Sequence, residues 1–184
     1  VSRLKEEIVF SLLSVKNHIV NSHFEPIGHE IVFDDQNIGC IELTLSNGKK
    51  LKITGKIDQG FMLLVGFTHS DTIENVKKMA KKIVGLRIFE DECGKMNLSI
   101  NDVKGEILSI SQFTLYGDCN KGNRPSFVNS MSLEPAIKLY KQFNEILRDE
   151  YNMVVEEGIF GADMKVTIIN DGPVTILIDS KNRE

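Results

Sequence analysis

The chain has 184 residues, 41% hydrophobic and 26% charged, and its 22 Lys and Arg against 26 Asp and Glu leave a net charge of −4. That length suits one domain able to bury roughly two thirds of its unfolded surface, and the acidic balance excludes a generally basic nucleic-acid coat while leaving room for a local basic patch. The scattered Cys40, Cys93 and Cys119 and the histidines His18, His23, His29 and His69 show no metal-ligand spacing, no apolar run approaches the roughly 18 residues of a membrane span, and Glu6 and Glu7 are unlike a targeting peptide. A reduced, cytoplasmic setting without metal or cofactor is the expectation.

Leu4, Ile8, Leu12, Val15 and Ile19 share one face at helical spacing, which predicts an N-terminal amphipathic helix. His23 to Gly28, with Pro26 inside it, reads as a linker. Strand patterns follow at Ile31 to Phe33 and Ile41 to Leu45, and Asn47-Gly48 marks a hairpin turn before Leu51 to Ile53. Phe61 to Phe67 is a continuous apolar run, as in a strand buried on both faces. Asp71-Thr72 offers an N-cap for a helix through Val84, closed by Gly85. Its apolar stripe (Ile73, Val76, Ala80, Ile83, Val84) stands opposite Lys77, Lys78, Lys81 and Lys82, a solvated face or an RNA contact.

Leu86 to Phe89 is a further strand, ended by the turn Glu90 to Gly94. Ile107 to Leu115 reads as the next strand, and Tyr116 to Ser126 as a polar loop. Ser132 caps a helix with Pro135 in its first turn, running to about Glu150 and presenting Ile137, Tyr140, Phe143, Ile146 and Leu147 on one face. Two final strands, Val166 to Ile169 and Val174 to Ile178, flank Gly172-Pro173 before a polar tail. This order predicts an α+β fold, either a sandwich or a curved sheet covered by helices.

Proline inside a strand removes a ladder donor and is confined to edges, bulges and ends, and an X-Pro bond is the one place where a cis peptide costs little. Asn170-Asp171-Gly172-Pro173-Val174-Thr175 therefore looks like backbone shaped for a purpose. In Ser111-Gln112-Phe113-Thr114-Leu115, strand alternation puts Ser111, Phe113 and Leu115 on one face and Gln112 and Thr114 on the other. A threonine hydroxyl is a weak nucleophile without a base, and no histidine lies in any motif. Ordinary sheet packing accounts for Thr114 equally well. In the loop Gly117 to Phe127, Lys121 and Arg124 suit a phosphate and Phe127 suits a base or a pocket wall. A solvated loop with Phe127 in the core would use the same residues. Asp118, Asp163 and Asp171 read as turn residues, since nothing pairs two of them. These residues alone do not reach a reaction.

Taken together, Leu86 to Asp91, Gly94 to Ser99, Ser111 to Phe127, Phe160-Gly161-Ala162-Asp163-Met164 and Asn170 to Thr175 resemble the D-aminoacyl-tRNA deacylase family over roughly Ile31 to Ser180. The resemblance implies a homodimer of curved, mainly antiparallel sheets in a barrel-like sandwich covered by helices. It implies hydrolysis of the ester between a D-amino acid and tRNA, and of glycyl esters mischarged on tRNA-Ala, as chiral proofreading. Ser111, Gln112, Phe113 and Thr114 then carry the chemistry. Gly172, Pro173, Phe127, Leu115, Met164, Asn170 and Thr175 bind substrate, and Lys121 and Arg124 hold tRNA. The family's Gly-Pro bond is cis and enters the partner's pocket, which transfers to Gly172-Pro173 and would reject L esters. The expected boundaries are 1–30 for a helical extension that packs on the body or binds a partner, 31–180 for the deacylase domain, and 181–184 for the tail. The chain departs from the family at Gln36-Asn37, where an arginine usually braces the Gly-Pro loop and Asn37 offers no guanidinium fork. Some relatives on this fold are described as binding DNA, a reading that the net charge and the absence of a long basic tail disfavour.

Overall fold

The apolar run at Phe61 forms β5 (Gly60–Val65), with Phe61, Met62, Leu63 and Val65 all buried. The computed structural model that shows this describes residues 9–15, 26–33, 39–45, 50–166 and 168–180, with side chains from 54 onward except 171. β5 lies at the centre of a five-stranded sheet ordered β10 (Asn170–Asp179), β1 (Val9–Val15), β5, β8 (Glu106–Ser111), β9 (Val155–Glu157). The β10–β1 and β1–β5 pairs are antiparallel, and β5–β8 and β8–β9 are parallel. The main sheet is therefore mixed, while five of the seven strand pairs among the described residues are antiparallel, as expected. A second, antiparallel sheet joins β2 (Pro26–Phe33), β3 (Gly39–Leu45) and β4 (Lys50–Ile53), and β6 (Arg87–Glu90) pairs with β7 (Met96–Ser99).

Both helices expected between the strands are present. α1 (Ile73–Val84) buries Val76, Met79, Ala80, Ile83 and Val84. The Asn75 carbonyl reaches back to accept from the Thr72 backbone N–H at 3.0 Å, as in the return half of a capping box. Lys81 and Lys82 complement the helix dipole in its last turn. α2 (Leu133–Asp149) follows Ser132 and buries Leu139, Tyr140, Phe143 and Leu147. It packs against α1, and both cover the sheet face onto which Phe61, Leu63, Val65 and Ile107 point. Among the described residues, no helix is long and apolar enough to cross a membrane.

Four expectations are corrected. Val9–Val15 is a strand, not part of a helix: it fills the gap between β5 and β10, where a helix would leave the facing edges of both unpaired. Tertiary pairing overrides the helical spacing, helped by Val9, Phe10 and Val15, which favour extended backbone. Pro26 to Gly28 belongs to β2 rather than a linker, with a register shift that accommodates the proline. β8 ends at Ser111 and the chain turns into a 3-10 segment, Phe113–Tyr116. One strand, β10, spans the Gly-Pro step, while Val166, Ile168 and Ile169 lie outside any strand. Leu4, Ile8 and Ile19 of the expected helix, His23 of the linker, Gln36-Asn37, the Asn47-Gly48 turn and residues 181–184 lie outside the described residues.

The Asp102 carboxylate closes the turn after β7, accepting from the Ser99 hydroxyl and the Ser99 N–H, each at 2.7 Å. The hydroxyl bond first, then the backbone bond, holds its carboxyl below the ordinary value. With the folded pKa depressed, its stabilisation is present above about pH 4 and is lost as pH falls through the folded value. Asp102→Asn is expected to lower the urea midpoint at neutral pH and to match the wild type in strong acid, as measured by fluorescence-detected unfolding across pH.

Candidate active site

The site residues gather at the carboxyl ends of the parallel strands β5, β8 and β9. The last ladder bond of β8 runs from the Gln112 N–H to the Val65 carbonyl, 2.7 Å. β5 ends there, so the chain of β8 has no further partner on that side and turns. Gly66 permits the turn to lie close: a Cβ on it would sit 2.9 Å from the Gln112 carbonyl oxygen and 3.3 Å from the Tyr116 ring. The turn removes the face sharing expected of Ser111, Phe113 and Leu115. Phe113 is instead 58% exposed, Thr114 is exposed and Leu115 is half-buried.

Phe113 meets Phe127 edge-on, with ring centroids 5.1 Å apart. Phe127 is 37% exposed, so it belongs to this rim rather than to the core. A side chain on Gly117 would strike the Phe127 ring at 3.1 Å, which makes the glycine part of the same contact. The loop between them is closed by Asp118 and Ser126, whose backbones exchange two 2.8 Å hydrogen bonds. The Asp118 carboxylate folds the loop further by accepting from the Asn120 N–H and amide at 2.8 and 2.7 Å. Lys121 and Arg124 are exposed on this loop, and neither pairs with another described residue. His69 is spent elsewhere, its Nε2 2.8 Å from the Val128 carbonyl.

Thr114 Oγ1 accepts from the Gln112 amide. No carboxylate or imidazole reaches it, so nothing among the described residues activates it as a nucleophile. The first N–H groups of a 3-10 turn have no acceptor within the turn, and here they belong to Phe113 and Thr114. On the far side of β8, Gly158 donates its N–H to the Ser109 carbonyl at 3.1 Å. Met164 packs over Gly158, where any Cβ would collide with its sulfur. That position next to Ile110 brings Met164 to the same end of the sheet as Ser111.

The other half of the expected site is not here. Leu13↔Thr175 and Val15↔Asn170 are successive pairings, so Asp171 to Val174 loop out of the ladder opposite Ser14 alone. The Asn170 side chain closes the base of this bulge, accepting from the Val174 N–H at 3.3 Å and donating to Thr175 Oγ1 at 3.4 Å. Gly172 has φ 118, a conformation that L side chains rarely adopt. Among the described residues no peptide bond is cis, so Gly172-Pro173 is trans, contrary to the expectation. The bend comes from the positive φ of Gly172 and the wide bulge, with the proline in the isomer that X-Pro bonds prefer. The bulge also stands at the wrong end for Thr114: Val15 pairs with Gly60, whereas Ser111 pairs with Val65. Five strand residues, roughly 17 Å, separate the two ends.

Comparison with known proteins decides the relationship. The family model for D-Tyr-tRNA(Tyr) deacylase matches residues 42–179, which include both ends of the sheet and the whole Ser111 to Phe127 stretch. The chain belongs to that family. It is 58% identical over 130 residues to the D-aminoacyl-tRNA deacylase of Clostridium novyi (strain NT), covering 71% of this chain and 87% of the relative. It is 56% identical over 132 residues to that of Geobacillus sp. (strain WCH70), covering 72% and 86%. Among solved structures, the c-Myc DNA Unwinding Element Binding Protein superposes with a TM-score of 0.70 at 33% identity, over 95% of this chain and 99% of the other. A probable eukaryotic D-amino acid tRNA deacylase shares the fold, with a TM-score of 0.64 at 16% identity, over 94% and 99%.

Of the deacylase-family residues named from sequence, Ser111, Gln112, Phe113, Thr114, Leu115 and Phe127 come together, Met164 stands at the same end of the sheet, and Asn170, Gly172, Pro173 and Thr175 lie at the other. Tyr140, Gly158 and Phe160 went unassigned, although Phe160 stands in the same short motif as Met164. Gly66→Ala is expected to push the turn away from β5, cost about 1–3 kcal/mol of stability, and reduce ester hydrolysis by more than the lost folded fraction. Urea unfolding and initial rates on the folded protein check both.

Proposed function

We propose that this chain hydrolyses the ester joining a D-amino acid to the 3′ end of tRNA, so that D residues are cleared before translation uses them. Family membership makes it a deacylase, a hydrolase of carboxylic esters. The observation that carries the finer reading is the exposed Phe113–Phe127 ring pair beside a threonine that no base activates, with Met164 at the same end of the sheet. Such a site suits a substrate that needs positioning more than acid–base help. An aminoacyl ester is already activated and carries a ribose hydroxyl beside it, so holding it in reactive geometry supplies much of the rate. The N–H groups of Phe113 and Thr114 stabilise the developing oxyanion. Lys121 and Arg124 hold the phosphates near the tRNA terminus, and Phe127 offers a ring for stacking.

The enzyme acts as a homodimer in this reading. The motif around Gly172-Pro173 lies roughly 17 Å along the sheet from Thr114, so the bulge of one copy completes the pocket of the other. Exposed Phe113, Leu177, Val128 and Leu133 supply apolar surface for such contact. With Gly172-Pro173 trans, rejection of L esters does not come from a cis Gly-Pro step; in this reading it is a clash of the L side chain with the pocket wall, which glycine, having no side chain, does not meet. Two curved sheets meeting this way form the barrel-like sandwich. The free, exposed Cys93 and Cys119 accord with a reducing, cytoplasmic site of action.

The test is the initial rate of hydrolysis of D-Tyr-tRNA, L-Tyr-tRNA and Gly-tRNA by the full chain. The D and glycyl esters are expected to be cleaved, with the L ester at least about a hundredfold slower. No cleavage of any ester, together with salt-steep binding of duplex DNA, would favour the nucleic-acid-binding role named for the 33%-identical structural neighbour.

A further inference from the structure

A row of polar side chains on α2 faces β8 and β9. Tyr140, Asn144 and Arg148 are spaced four residues apart, one turn each along one face of the helix. Arg148 donates to the Val155 carbonyl at 2.7 Å and to the Glu157 carboxylate at 3.1 Å. The fully buried Asn144 donates its amide to the other oxygen of Glu157. These two contacts fasten β9 to the helix. Tyr140 does something different.

Its hydroxyl donates to the Ser109 carbonyl at 2.7 Å, the same oxygen that accepts the Gly158 N–H at 3.1 Å. Its ring meets Phe160 edge-on at 5.3 Å. One buried side chain thus shares the Ser109 acceptor with Gly158, at the start of the Gly158 to Met164 segment, and touches Phe160 within it. Met164 in turn lies over Gly158, which has no side chain to hold it off. Burial pushes the Tyr140 phenol above its ordinary pKa, so it stays a donor throughout the neutral range.

We propose that Tyr140 is a positioning residue for substrate selection: through the Ser109–Gly158 junction and the Phe160 ring it sets where Met164 stands, and so which acyl side chains the pocket admits. This rests on the deacylase reading above. A purely structural tyrosine would, when altered, lower the amount of folded protein and slow every substrate alike. A positioning tyrosine changes the ranking of substrates.

The experiment compares wild type, Tyr140→Phe and Phe160→Leu on D-Tyr-tRNA and D-Ala-tRNA, with the Met164 methyl resonance followed in 13C-methionine-labelled protein. Tyr140→Phe keeps the ring and removes one hydrogen bond, and Phe160→Leu keeps the hydroxyl and removes the ring contact. Each is expected to change the D-Tyr to D-Ala ratio of kcat/KM by about three- to tenfold, and to shift the Met164 methyl signal. An equal loss on both esters, or an unmoved ratio with an unmoved methyl signal, overturns the role of Tyr140. An inactive wild type would instead sink the deacylase reading, and the methyl signal would still report whether Tyr140 positions Met164.

Discussion

Parallel pairing of β5 with β8 runs from Gly60↔Glu106 to Val65↔Ser111, and its last bond, from the Gln112 N–H to the Val65 carbonyl, is the interaction from which the site is built. Beyond that bond β5 has gone and β8 must leave the sheet. Gly66 lets it leave at close range, so Phe113 to Tyr116 coil directly over the strand ends. Everything else at the site is referred to this point. Phe127 leans on Phe113, and β9, parallel to β8, delivers Gly158 and Met164 to the same end. Carboxyl ends of parallel strands collect loops from neighbouring crossovers, which is why ligand sites recur there.

That geometry also holds the two family motifs apart within one chain. β10 reaches the sheet through β1, antiparallel, and its bulge falls beside Val15 and Gly60, at the amino end of β5. No adjustment of side chains moves it to the other end of a rigid sheet. In the proposed dimer this bulge, shaped by a positive-φ glycine, a proline and a closing asparagine, serves the other copy.

Much of this could be read from the residues. The stripes of α1 and α2, their caps at Thr72 and Ser132, and the doubly buried run at Phe61 followed from local pattern, because each element satisfies its own periodicity. Three features did not follow. Leu12 and Val15 sit at helical spacing, but two long-range strand partners decide their conformation. Phe113 and Leu115 continue a strand alternation, but the partner strand ends before them, which no local signal reveals. Tyr140 looks like one more apolar position of α2; its hydroxyl partner, Ser109, lies 31 residues away. The Gly-Pro step was legible as special backbone, while its trans geometry and place in the sheet came only with the register.

In the proposed mechanism the chain positions an activated ester and supplies backbone donors, and the RNA supplies the neighbouring hydroxyl, with Thr114 no more than a polar neighbour of Gln112. The most direct measurement is the single-turnover rate on D-Tyr-tRNA esterified at the 3′ position of a terminal 2′-deoxyadenosine, beside the same ester on ordinary tRNA and beside Thr114→Val. Positional catalysis requires a loss of about a hundredfold or more for the deoxy substrate, and less than about a threefold change for Thr114→Val. A full rate on the deoxy substrate, with Thr114→Val inactive, would contradict it and return the threonine to the role of nucleophile.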